Sequence, residues 1–192
     1  MKKVGIIGLG RLGTRLAEQL MINKVCDKIY LGNRSYPKTE GTLMSLKVWG
    51  KLIKSHVEMH KIDWNNLNML DLIVIAVKEK YDPRDLMDDE KPPRWLPKNL
   101  RYIGLSRDIH LIKALCYKLS NYSGRVLVVT NPVDVITGIV HQKLRKAHVF
   151  GAGLTLDEAR LRIVVHEELG NEIGRIQLAG EHGQGIVPLL SL

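Results

Sequence analysis

Four apolar residues, Val4 to Ile7, run directly into Gly8-Leu9-Gly10-Arg11-Leu12-Gly13, and a stripe at helical spacing follows. Leu12, Leu16, Ala17, Leu20 and Met21 make up that stripe, so the segment reads as a helix with one apolar face. A strand, a glycine-rich turn and an amphipathic helix in this order form the first limb of a β-α-β unit. The chain then repeats the alternation. Lys28 to Leu31 reads as a strand, Gly41 to Lys54 as a helix with Leu43, Leu46 and Ile53 facing inward, and His56 to His60 as a strand with Val57 and Met59 on one face. Asp71-Leu72-Ile73-Val74-Ile75-Ala76-Val77 is almost wholly apolar, which suits a strand covered on both faces. Pro83, Pro92, Pro93 and Pro97 interrupt regular structure in an acidic excursion that carries Asp85, Asp88, Asp89 and Glu90. Ser106 is placed to cap a helix whose Ile109, Ile112, Leu115 and Leu119 share a face, and Arg125 to Thr130 is a further buried strand. The expected fold class is α/β, a doubly wound parallel sheet with helices on both faces.

Composition narrows the function classes. Hydrophobic residues make up 45% of the 192, enough for a core, yet no apolar run approaches the ~20 residues that a membrane span needs. The start, Met1-Lys2-Lys3-Val4, enters a strand at once and leaves no room for a secretory signal. Cys26 and Cys116 stand too far apart for a zinc framework, so reduced thiols in a cytoplasmic protein are expected, with no metal. The net charge of +9 raises the question of nucleic acid. The basic residues are dispersed, however, and the densest run, Lys143-Leu144-Arg145-Lys146, lacks the aromatic interleaving that stacks bases. A basic face that attracts an anionic cofactor and substrate accounts for the excess, and neither nucleic acid nor membrane is an expected partner.

The glycine string has a specific chemistry in this context. Gly8 permits a tight turn, Gly10 lets a pyrophosphate approach the backbone, and Gly13 lets the helix pack close to the sheet. The N–H groups of Arg11, Leu12 and Gly13, at the positive end of the helix dipole, then face the phosphates of a dinucleotide. The second strand ends in Leu31-Gly32-Asn33-Arg34-Ser35, where an acidic residue would bind both ribose hydroxyls of NAD. Asn33 removes the charge that would repel a 2′-phosphate, while Arg34 and Ser35 can bind one. NADP is therefore the expected cofactor, with NAD the alternative if the triplet is only a polar turn.

A second set of residues lies downstream. Thr155 and Glu158 fit a capping box, so a helix should start at Thr155 and carry Asp157 and Arg160 on one side. A planar guanidinium grips a carboxylate bidentately, and a carboxylate can orient and support an imidazolium. His182, in Gly180-Glu181-His182-Gly183, is the natural proton donor.

These strings resemble the lactate/malate dehydrogenase family. The matches are Gly8-x-Gly10-x-x-Gly13, Thr130-Asn131-Pro132-Val133-Asp134-Val135, Gly153-x-x-Leu156-Asp157-x-x-Arg160 and Gly180-Glu181-His182-Gly183, in the family's order and at nearly its spacing. The resemblance implies hydride transfer between a nicotinamide cofactor and a small 2-hydroxy or 2-oxo acid such as lactate or malate. It casts His182 as acid/base, Asp157 as its partner and Arg160 as the group that binds the substrate carboxylate. Asn131 would contact the nicotinamide end and the substrate oxygen, across a cis bond to Pro132. Arg84, Arg94 and Arg101 are candidates for the arginine that polarises the carbonyl, and Arg101 is the choice.

The resemblance also implies two parts: a Rossmann domain over residues 1–150, and a short remnant of a second, substrate-binding domain over 151–192. About 40 residues bury too little surface to stand alone, so the second part should pack on the first or on another subunit. A homo-oligomer, a dimer, is expected. The first 80 residues also resemble the NADP domains of pyrroline-carboxylate reductases, through Val4-Gly5-Ile6-Ile7-Gly8-Leu9-Gly10, Asn33-Arg34-Ser35 and Ile75-Ala76-Val77-Lys78. That likeness supports NADP and adds Ala76 and Val77 to the cofactor-binding residues. It keeps imine reduction open, beside a non-catalytic NADP sensor or assembly protein.

Overall fold

Consecutive residues of a strand point to opposite faces of its sheet, and here both faces are apolar. In a computed structural model describing residues 2–80, 105–169, 176–182 and 185–189, the first strand, β1 (Lys3–Ile7), sends Val4 and Ile6 to one layer and Ile7 to the other. The second, β2 (Lys28–Gly32), sends Ile29 and Leu31 to the first layer and Tyr30 to the second. After β3 (Glu58–Lys61), the strand β4 (Leu72–Ile75) divides in the same way, with Val74 on one side and Ile73 and Ile75 on the other. This explains why the strands read as near-continuous apolar runs.

Helices cover both layers. The helices α1 (Arg11–Ile22) and α2 (Tyr36–Leu52) contribute Ala17, Met21, Leu43 and Leu46 to the first. The second is built on α3 (Leu105–Lys118) and α4 (Val133–Lys143), through Ile112, Leu115, Cys116, Val133, Ile136 and Val140. With β5 (Arg125–Val128) and β6 (His148–Gly151) the sheet has six strands, all parallel, in the order β3-β2-β1-β4-β5-β6. This is the doubly wound arrangement of dinucleotide-binding sheets, with its crevice at the carboxyl ends where the order reverses between β1 and β4. The chain continues through α5 (Leu154–Leu169) into an antiparallel hairpin, β7 (Gln177–Gly180) and β8 (Ile186–Leu189).

Several boundaries differ from the sequence expectation. The helix α2 starts at Tyr36 rather than Gly41, because Ser35 caps it and Pro37 lies in its first turn. Leu12 does not join the apolar face of α1. It is 55% exposed, and the buried residues of the helix are Gly13, Ala17 and Met21 instead. Ser106 sits inside α3 rather than capping it, with its hydroxyl buried and without a partner among the described residues. The helix α5 begins at Leu154, and Glu158 does not close a capping box on Thr155. Its carboxylate instead accepts the Leu178 N–H at 3.1 Å and fastens β7 to α5. Among the described residues, no helix is long and apolar enough to cross a membrane, and no group of three or more His, Cys, Asp or Glu could hold a metal ion.

Candidate active site

Residues singled out from the sequence gather along the carboxyl edge of the sheet. Arg34 follows β2, Gly8 follows β1, Ala76 and Val77 follow β4, Asn131 follows β5 and Gly153 follows β6. Neighbouring strands lie about 4.8 Å apart, so four steps from β2 to β6 give an edge roughly 19 Å long.

At the centre, Gly8 has φ +102°, and a Cβ there would stand 2.4 Å from the Ala76 carbonyl oxygen. Only glycine fits that turn. Gly13 lies against the same turn, where a Cβ would come within 1.9 Å of the Gly8 oxygen, whereas Gly10 faces open space. No side chain caps α1, and its first turn holds no acidic residue. The N–H groups of Arg11, Leu12 and Gly13 precede the first intrahelical bond, from Thr14 N–H to the Gly10 carbonyl at 3.0 Å. A close-approach glycine before an uncapped helix start fits a pyrophosphate.

On the β2 side, the Asn33 side-chain oxygen accepts the Arg34 N–H at 2.8 Å, and the Ser35 hydroxyl accepts the Lys38 N–H as the cap of α2. The Arg34 guanidinium reaches across the turn to Glu79, beyond β4. Nη1 donates to both carboxylate oxygens and Nη2 to one of them, each at 3.0 Å. On the β4 side, the buried Thr130 hydroxyl donates to the Val77 carbonyl at 2.8 Å and joins the ends of β4 and β5.

At the β6 end, Asp157 stands between His182 and Arg160. Its Oδ2 lies 2.5 Å from His182 Nδ1, and its Oδ1 accepts from Arg160 Nη1 at 3.3 Å. His182 and Asp157 are largely enclosed, their side chains 11% and 15% exposed, while Arg160 is 63% exposed. Two features hold the histidine there. Its N–H donates to Asp134 Oδ2, in the first turn of α4, at 2.9 Å. Gly153 provides the room, since a Cβ there would lie 3.0 Å from the His182 Cβ and 3.1 Å from a Val133 methyl. Asn131 is exposed between β5 and α4, and its bond to Pro132 is cis, as the family resemblance implied.

Arg101, with Arg84 and Arg94, lies outside the described residues. Sequence reasoning missed Glu79 and Asp134 as individuals. Each meets its partner more than forty positions away in the chain. The one available signal for Glu79 was an acidic residue just past β4, when the acid expected after β2 was missing.

No family model matches the chain. By sequence it is similar to the L-lactate dehydrogenase B chain of Fundulus heteroclitus, 27% identical over 195 residues that cover 98% of this chain and 54% of that protein. The L-lactate dehydrogenase of Fervidobacterium nodosum is 28% identical over 187 residues, 94% of this chain and 56% of its own. That of Acetivibrio thermocellus is 25% identical over 198 residues, covering the whole of this chain and 58% of its own. The chain thus spans about half the length of the curated relatives it matches. Along nearly its whole described and undescribed length, the chain resembles the lactate/malate dehydrogenases, as its four strings implied.

Proposed function

We propose that this chain transfers hydride reversibly between a nicotinamide dinucleotide and a small 2-oxo or 2-hydroxy acid of the lactate or malate class. The observation that carries the reading is Asp157 bridging His182 and Arg160 at one end of an edge whose middle is a glycine turn before an uncapped helix. Residues 1–150 would hold the dinucleotide, and residues 151–192 would bring the acid-handling groups.

Gly8, Gly10 and Gly13 and the N–H groups of Arg11 and Leu12 would hold the pyrophosphate. Ala76, Val77 and Asn131 would line the nicotinamide end. The bound nicotinamide supplies or receives the hydride. His182, with Nδ1 committed to Asp157, has Nε2 left to protonate the oxo oxygen and to take the proton back from the hydroxyl. Asp157 stabilises the imidazolium, and Arg160 grips the substrate carboxylate and fixes its orientation. Arg101 is the proposed polarising arginine. The Asn33-Arg34-Ser35 triplet supports NADP, with NAD the alternative: β2 ends without a repelling carboxylate and offers a cation, though Glu79 holds that cation in this structure. A cytoplasmic homodimer completes the proposal.

The test is loss of nicotinamide absorbance when the protein meets NADPH or NADH with pyruvate, oxaloacetate and longer 2-oxo acids. Turnover with at least one acid is expected. A folded protein that turns over none of them overturns the enzymatic reading. Dinucleotide binding without turnover would instead favour a non-catalytic sensor, a role that the two apolar clusters described, both drawn from residues 4–149, could support.

A further inference from the structure

The Arg34–Glu79 pair spans a specific place. Since β1 lies between β2 and β4, a side chain from beyond β2 that meets one from beyond β4 must cross the carboxyl end of β1, where the glycine turn begins. The two partners are not equally fixed. Glu79 is 23% exposed at its side chain, and its N–H donates at 2.8 Å to Asp108, a buried carboxylate on α3. Two residues earlier, the Val77 carbonyl is held by Thr130. Arg34 is 71% exposed on the far strand. The carboxylate is therefore the anchored member, and the guanidinium comes to it.

This matters for the triplet that would read a 2′-phosphate. The Ser35 hydroxyl already accepts as a helix cap, and the Asn33 side-chain oxygen is turned to the backbone. Arg34 is the only cation in the triplet, and both its Nη atoms face Glu79. A phosphate dianion entering there meets a neutralised cation and a fixed negative charge. An unphosphorylated ribose meets neither obstacle, because its hydroxyls can donate to a carboxylate, the group that β2 lacks.

Resting on the dinucleotide reading above, we propose that Glu79 sets the cofactor selectivity of this site by competing with the 2′-phosphate of NADP for Arg34. Selectivity is thereby divided between two strands: β2 supplies the phosphate-binding cation, and the segment after β4 supplies the carboxylate that restrains it.

The test is titration of NADPH and NADH into the wild-type chain, Glu79→Gln, Arg34→Ala and the double variant, each checked for an unchanged melting profile. Glu79→Gln should tighten NADPH about fivefold, the scale of one partly exposed ion pair, and change NADH by less than about twofold. The gain should vanish when Arg34 is also removed, a coupling that a purely structural role would not produce. An NADPH-to-NADH ratio unchanged in Glu79→Gln, or a gain that survives without Arg34, overturns the proposal while leaving the dinucleotide site intact. Failure of the wild-type chain to bind either dinucleotide overturns both.

Discussion

Asp157 divides its two oxygens between an imidazole and a guanidinium, and this sharing sets what each neighbour can do. The oxygen on His182 Nδ1 orients the ring, and the oxygen on Arg160 limits how far that side chain can swing. Replacing His182 by Asn should lower kcat by about 10²–10⁴-fold while dinucleotide affinity stays within about twofold, since the lost step is proton transfer. Steady-state kinetics beside a binding titration checks this; an equal loss in both would assign His182 to cofactor binding instead. Asp134→Ala removes the acceptor of the His182 N–H and should lower kcat by about tenfold, through a misplaced ring, without a matching rise in KM. Asp157, Arg160 and His182 could be singled out in the sequence because each stands in a short distinctive string, and the structure brings the three together. Asp134 and Glu79 were not legible as functional residues. Asp134 meets His182 only once the hairpin loop folds over the start of α4, and Glu79 meets Arg34 only once α3 fixes the segment after β4.

At the scale of elements, apolar periodicity located the strands and helices well, because both faces of the sheet are covered and few residues escape the pattern. It failed at their ends. Ser35, read as a phosphate ligand, is also the cap of α2, and one sequence triplet cannot show that two uses compete. Glu158 fitted a capping box, yet the hairpin offered it the Leu178 N–H, a tertiary partner that no local rule supplies. The join between β4, α3 and β5 has its own fastening. The Tyr122 hydroxyl, on a residue 1% exposed, donates to the Leu70 carbonyl at 3.0 Å and lies 3.2 Å from the Arg125 carbonyl. Burial pushes its pKa up to about 12, so the fold binds its proton more tightly than the unfolded chain does. Between the ordinary value near 10 and that raised value the native state holds more protons, and stability must fall as pH rises through the interval. Tyr122→Phe should cost about 1–2 kcal/mol at neutral pH, measured by urea unfolding, and should lessen the loss of stability above about pH 10. A wild-type protein whose stability is flat from about pH 9 to 12 would exclude this account.

Across the whole molecule, burial and chemistry are distributed unequally. Both hydrophobic clusters draw their residues from between Val4 and Val149, and β6 closes the sheet with the Ala152 N–H donating to the Val128 carbonyl at 2.9 Å. Beyond that point α5 leaves Leu156, Ile163 and Val164 each more than half exposed, and buried apolar residues are few, Ile176 and Leu178 among those described. Yet that later stretch carries Asp157, Arg160 and His182. The fold's stability therefore resides mainly in the part that would hold the dinucleotide, and the groups proposed to react lie in the part that adds least to the described core. A chain cut after Ala152 should still melt cooperatively, with Tm lowered by no more than about 5 °C, since the lost contacts are few. It should bind NADH or NADPH within about threefold of the full chain, because every proposed dinucleotide contact is retained and the net positive charge that draws anions persists. Turnover of a 2-oxo acid should disappear altogether. Calorimetry, dinucleotide titration and an activity assay on the same preparation separate the possibilities. An unfolded product would mean that α5 and the hairpin complete the core, and retained turnover would remove Asp157, Arg160 and His182 from the reaction.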